Sequence, residues 1–118
     1  MNETVGFDGL WLDMNEASNF CFDGYCYDEQ KPKSSVIYDI PYIPTGRSIQ
    51  QNMLLLDGVH EGGIKELDAH GLFGTMETKS THEWFKKANL RTFIIQRSAF
   101  AGLGKFGSHW LGDNYASG

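Results

Sequence analysis

Cysteine is nearly absent from this chain: two in 118 residues, at positions 21 and 26. A zinc site needs about four ligands, so a C-x4-C pair alone excludes one. It leaves a local disulfide, which implies an oxidising compartment, or two free thiols. Proline is also sparse, three against fourteen glycines, which speaks for turns and close backbone approaches rather than a Pro-rich linker. Basic residues are too few for nucleic-acid binding: ten Lys and Arg face fifteen Asp and Glu, for a net charge of −5, and no basic stripe occurs. No run of about 18 apolar residues exists, so nothing in this segment reads as a membrane span. Repeats and low-complexity tracts are missing. Met1 is followed by neither a basic n-region nor an apolar h-region. An apolar strand pattern begins at Val5 with nothing ahead of it to pack against, so Met1 reads as internal to a longer chain. Asn2-Glu3-Thr4 is a glycosylation sequon, a triplet common enough by chance to add little.

What is present is globular in character, 41% apolar and 14% aromatic. Val5–Leu12 (VGFDGLWL) is a short apolar run that fits a strand buried on both faces, as in a parallel sheet. It stops at a polar cluster, Asp13-Met14-Asn15-Glu16. From Ala17 to Gly63 periodicity is weak, and a loop that long should be functional or carry small elements of its own. Ile64–Leu67 is a weak strand candidate ending at Asp68-Ala69-His70. Leu72–Ala88 reads as a helix, with Phe73, Met76, Trp84, Phe85 and Ala88 on an apolar stripe and Glu77, Lys79, Glu83, Lys86 and Lys87 on the charged side. Thr92–Gln96 (TFIIQ) is the clearest strand. Arg97-Ser98 and a Gly-rich loop follow it.

Strand, loop, helix, strand is βαβ logic. Polar residues sit just past each strand: Asp13, then Asp68 and His70, then Arg97. That is where a (β/α)8 barrel builds its active site. Such a barrel needs eight strands and about 250 residues. The fold class expected is therefore α/β, a partial (β/α)8 TIM barrel, with residues 1–118 forming a middle slice of about three strands.

Two carboxylates stand out. Asp13 ends a strand between Trp11 and Met14, although a turn or helix N-cap would also explain it locally. Asp113 lies in His109-Trp110-Leu111-Gly112-Asp113-Asn114, where an Asp-Asn turn is the plain alternative. A Trp face covers sugar C–H surface while a neighbouring carboxylate bonds hydroxyls or donates a proton. Two carboxylates on barrel loops point to glycoside hydrolysis, one as nucleophile and one as acid. Competing arrangements are weaker. Ser98, His109 and Asp113 could be drawn as a triad, but no nucleophile elbow is present. GLGKFG lacks the P-loop pattern and a following helix. The four histidines have no ligand spacing, and His82 reads as a solvated helix residue.

Gly9–Phe20 (GLWLDMNEASNF) closely resembles the nucleophile signature of glycoside hydrolase family 31, the α-glucosidase family. Arg97–Gly102 (RSAFAG), continuing to His109–Asn114 (HWLGDN), resembles its second signature, and Leu67–Gly74 resembles a further strand end. Phe106-Gly107-Ser108 departs mildly from the family's usual aromatic-Ala-Gly run. The resemblance implies a retaining, exo-acting α-glucosidase that acts on nonreducing-end glucose of maltose-type oligosaccharides through a covalent glycosyl-enzyme. Other substrates of the family, α-xylosides or those of glucosidase II, remain open, as does a catalytically silent sugar-binding remnant. By the same resemblance Asp13 is the nucleophile and Asp113 the acid/base. Arg97 binds the sugar, and Trp11, Met14 and Trp110 wall the subsite. Glu16 ties the loop, Asp68 and His70 stand behind the site, and Cys21 and Cys26 form a small disulfide. No metal or other cofactor is expected, and the partner is an oligosaccharide. The implied compartment is secreted, lysosomal or vacuolar. The two carboxyls should face one cavity about 5–5.5 Å apart, part of the sugar subsite should come from strands outside this chain, and apolar strand surface should be exposed.

Overall fold

The computed structural model describes residues 6–19, 53–114 and 116. The Cys21–Cys26 reading, the sequon and most of the long loop lie outside these residues. The described part forms two compact units, 6–16 with 71–114 and 116, and 17–19 with 53–70.

The first unit is built on a parallel sheet in the order β1 (Leu10–Leu12), β2 (Ile94–Gln96), β3 (Ser108–His109). Helix α2 (Phe73–Lys87) lies between β1 and β2 in the chain, so the βαβ expectation holds. β1 is shorter than the Val5–Leu12 run, and Thr92–Gln96 contracts to its last three residues. β3 is unexpected: Ser108-His109 has no hydrophobic run to announce it, and it exists because β2 offers a free edge for pairing. Between β2 and β3 comes only a 3-10 turn, Leu103–Lys105, entered through Gly102 at φ 95.

The helix bounds match the periodicity, but only Phe85 of the expected apolar stripe is fully buried. Gly74, Thr75, Thr78 and Phe85 are buried, while Phe73 and Met76 are exposed. The reason is distance. A Cβ on Gly74 would lie 2.6 Å from Ser98 Cβ and Oγ, and one on Gly107 would lie 2.9 Å from Thr78 Cγ2. The helix rests too close to the β2 end for large side chains at its N-terminal half. Further along, Phe85 fills the space fully, with Phe7 edge-on to it at 6.1 Å and stacked on Trp84 at 5.5 Å. His82 is not a solvated residue: its Nδ1 lies 3.1 Å from the Phe106 carbonyl, and its ring packs edge-on against Phe106. Lys86 and Lys87 occupy the last turn, where cations complement the helix dipole. Asn89 at φ 54 then ends the helix, with the Leu90 N–H donating to the Phe85 carbonyl at 3.0 Å.

Among the described residues β2 is covered on one face, while both residues of β3 are exposed. Ile94 and Gln96 point to the helix side and are buried, whereas Trp11 is 62% and Phe93 60% exposed. The expectation of a β1 buried on both faces does not hold within this chain, because Leu10 and Leu12 are only half-buried and Trp11 is exposed, and the expected exposed apolar surface is there.

In the second unit, Ile64–Leu67 is not a strand. Lys65 makes an isolated antiparallel bridge with Val59, and α1 (Glu66–Ala69) begins at the next residue. Gly62 and Gly63, at φ 84 and 81, turn the chain back on itself, a conformation glycine adopts without a Cβ penalty. The buried Glu66 carboxylate is held by His60 Nε2 at 2.6 Å and His70 Nδ1 at 2.7 Å, which places Glu66 on a helical turn with His70 four residues on. No helix among the described residues is long and apolar enough to cross a membrane.

The close approach of α2 generates a prediction. Gly74→Ala forces a Cβ against Ser98 and should destabilise the intact protein by about 1–3 kcal/mol, read as a lower urea midpoint at unchanged m-value. An unchanged midpoint would mean the helix can shift at little cost.

Candidate active site

The register of the sheet decides what meets at its C-terminal edge. Leu12 pairs with Gln96, and Gln96 with His109. The ladder runs one step further, with Arg97 N–H donating to Leu12 O at 3.3 Å and Trp110 N–H to Gln96 O at 3.1 Å. Asp13, Arg97 and Trp110 therefore leave three adjacent strands side by side.

Arg97 is the hub. Its Nε and Nη2 each donate to one Glu16 carboxylate oxygen at 3.0 Å, a bidentate fork. Nη1 faces Asp13 Oδ1 at 3.5 Å. The Asp113 carboxylate acts on the same guanidinium through space. Gly112, at φ 91, runs against the Arg97 stem, where a Cβ would fall 2.9 Å from Cδ. A side chain there would push the Asp113 loop off the arginine. Hydrogen bonds from Arg97 are the main cause that holds the Glu16 carboxyl below its ordinary value of 4.5, with burial opposing them. The Glu16 hydrogen bond likewise raises Arg97, which stays charged at any ordinary pH.

Met14 sits at φ 53, a left-handed conformation that costs a non-glycine residue energy. It turns the chain sharply after Asp13, so that Asn15 is buried while the Met14 side chain is 69% exposed. Trp11 and Trp110 meet edge to face, ring centroids 5.5 Å apart. Together with Gly9, Leu10, Phe93 and Ile95 they line an open apolar groove of about 530 Å³ on the sheet face opposite α2.

Of the residues singled out in the sequence, Asp13, Arg97, Trp11, Trp110 and the Asp113 loop come together, and Met14 flanks them with its side chain open. Glu16 ties the loop as expected, through Arg97. Asp68 and His70 belong to the other unit. Three residues of the site are given no functional role by the sequence reading: Asn15, which lies inside the Gly9–Phe20 motif, Gln96, which ends the Thr92–Gln96 strand, and Thr78. Gln96 Oε1 accepts from Asn15 Nδ2 and from Thr78 Oγ1, each at 2.6 Å. A signal for Gln96 existed. It ends a strand at the parity of Ile94, the side that faces a helix. Among the described residues no group of three or more acidic, His or Cys side chains could hold a metal.

The family model described as "Glycosyl hydrolases family 31 TIM-barrel domain" matches residues 1–118. The chain belongs to glycoside hydrolase family 31. A probable α-glucosidase of Oryza sativa subsp. japonica is 39% identical over 119 residues, 97% of this chain and 12% of that protein. An α-xylosidase 1 of Arabidopsis thaliana is 32% identical over 136 residues, covering 96% of this chain and 15% of its own length. A lysosomal α-glucosidase of Bos taurus is 35% identical over 119 residues, 96% of this chain and 12% of that protein. The chain thus spans a small part of the relatives it matches. Family 31 membership accounts for the parallel strands, since a TIM-barrel domain is a (β/α)8 fold.

The depressed Glu16 carboxyl fixes a sign. Its contribution to stability is present above the unfolded value of 4.5 and lost as pH falls through the lower folded value. Urea midpoints of the intact protein and its Glu16→Gln variant should therefore differ near neutrality and converge as pH falls through the lowered folded value of Glu16. A constant gap across that range would show that the Arg97 pairing is not its source.

Proposed function

We propose that this chain supplies the catalytic carboxylates of a retaining α-glucosidase, and that its three strands are neighbours in a larger (β/α)8 barrel that completes the sugar pocket. The observation that carries this reading is the convergence at one sheet edge. Asp13, Arg97 and the Asp113 loop leave adjacent parallel strands beside two tryptophans. The α-glucosidase names of the rice and cattle relatives support the substrate class, and the cattle protein's lysosomal name supports a secreted, lysosomal or vacuolar setting.

In the first step the Asp13 carboxylate attacks the anomeric carbon of a terminal α-glucose. The bond to the glycosidic oxygen breaks, and that oxygen takes the proton of Asp113. The glucosyl unit is then esterified to Asp13. Water enters, Asp113 removes its proton, and the water oxygen attacks the anomeric carbon. The ester to Asp13 breaks and α-glucose leaves, the configuration restored by two inversions. Arg97 Nη1 lies 3.5 Å from Asp13 Oδ1, a cation beside the attacking carboxylate. Trp11 and Trp110 would cover the apolar face of the sugar ring. The α-xylosidase among the relatives makes an α-xyloside the second substrate to try, since the two sugars differ only in the exocyclic hydroxymethyl group.

The test is hydrolysis of fluorogenic α-glucoside and α-xyloside by the full reading frame and by this chain alone. Turnover of the α-glucoside only by the long form, lowered by at least about 10⁴-fold in Asp13→Ala, is the expected result. A slow-reacting fluoroglucoside should add one glucosyl mass to the peptide that contains Asp13. Preference for the xyloside would reassign the substrate, and labelling elsewhere would reassign the nucleophile.

A further inference from the structure

We infer that Gln96 is a positioning residue for the Asp13–Arg97 pair, acting through Asn15 and braced from behind by Thr78. This rests on the function proposed above, and it is carried by a buried hydrogen-bond chain that joins three separate segments.

The chain starts from a group that cannot turn. The Ser98 backbone N–H donates to Asn15 Oδ1 at 3.0 Å. A backbone N–H has only a proton to offer, so the oxygen of the Asn15 amide must face it and the NH2 must face the other way. That NH2 points at Gln96 at 2.6 Å, so Gln96 must present its oxygen there. The same oxygen then accepts the Thr78 hydroxyl at 2.6 Å, whose single proton is shared with the Gly74 carbonyl at 2.9 Å. Every orientation follows from the first. Flipping either amide would set two donors face to face. The chain ends at the Gln96 NH2, which is buried with no partner among the described residues.

Gln96 and Thr78 are fully buried, and Asn15 is 8% exposed. Buried polar groups of this kind are expensive when their bonds are broken, so a network with every link oriented tends to fix one geometry. The geometry fixed here is that of the charged pair. Asn15 lies between Asp13 and Glu16, and Gln96 and Ser98 lie on either side of Arg97. Holding Asn15 to both Gln96 and Ser98 holds the loop of one charge to the strand end of the other. Gly74 belongs to the same device. A Cβ there would strike Ser98 at 2.6 Å and Asn15 Nδ2 at 2.9 Å, so the helix can brace the network only where it has no side chain. Reacting groups misplaced by about 1 Å lose on the order of a hundredfold in rate. Among the described residues, the bonds to Ser98 and Gln96 are the ones that tie the Asn15 side chain in place.

The experiment uses the full-length protein and two readouts. The first is kcat per titrated active site, counted by the fluoroglucoside burst, which removes the effect of unfolded protein. Gln96→Met keeps the length and removes every hydrogen bond; kcat should fall by about 10–100-fold with KM changed by less than about threefold. Thr78→Val should fall less, and Thr78→Ser should recover most of that loss. A kcat within about twofold of the parent in Gln96→Met overturns the proposal, whatever happens to the melting temperature. If Gln96→Met does not fold, the Thr78→Val and Thr78→Ser pair decides: equal kcat in both overturns it. The second readout, hydrogen exchange of the Ser98 amide, needs no activity. Faster exchange at Ser98 in Gln96→Met or Thr78→Val, with β2 itself still protected, supports the hold on Asn15, and unchanged exchange overturns it. A parent that hydrolyses no glycoside defeats the proposed function, and the exchange result then decides by itself whether Gln96 positions Asn15.

Discussion

Leu12 opposite Gln96, and Gln96 opposite His109, is the register on which the strand ends depend. Side chains alternate faces with a period of two, so a slip of one residue would carry Gln96 from the helix side to the open side. It would also separate Asp13 from Arg97. Few main-chain bonds guard that register, because each strand is only two or three residues long. Side chains add the rest of the constraint. Gln96 can be buried only where Asn15 and Thr78 reach its oxygen, and only one register brings all three together.

The charges at that edge are arranged by competition. A guanidinium fork pairs best with one carboxylate, and Arg97 gives its fork to Glu16. Asp13 receives the remaining nitrogen at a longer distance. This division leaves a cation beside Asp13 without committing its strongest hydrogen bonds there. Gly112 contributes by letting the loop with Asp113 lie against the arginine stem. The same cation therefore organises three acidic residues that the chain carries in two distant segments.

The two faces of the sheet are treated differently. Toward α2 the contact is tight and partly polar, made with glycine and threonine at the helix N-terminal half and Phe85 beyond. On the other face Trp11, Phe93 and Ile95 are large and apolar and border an open groove. In a family whose fold is a (β/α)8 barrel, one face of each strand meets a helix and the other meets the barrel interior. The division within this chain follows that plan.

The sequence by itself determined the family, the α/β class, the helix with nearly its true bounds and the strand ending at Gln96. These rest on local patterns, a 3.6-residue period, a β-branched run and two long motifs, and local patterns are legible without neighbours. It also marked Asp13 and Arg97 as polar residues just past strands and Asp113 beside Trp110 in a loop, while the resemblance of the two motifs, not their placement, supplied the expected roles. Only the tertiary structure decided that Ile64–Leu67 becomes a bridge and a helical turn around Glu66, that Ser108-His109 pairs as a third strand, and that α2 packs through Gly74 and Thr78 at its N-terminal half, with Phe85 of its apolar stripe buried beyond. Each of these depends on what lies across the contact, on a free strand edge, a pair of imidazoles or a helix too close for a side chain. Such distances between remote segments are set by the whole fold, and no spacing along the chain encodes them.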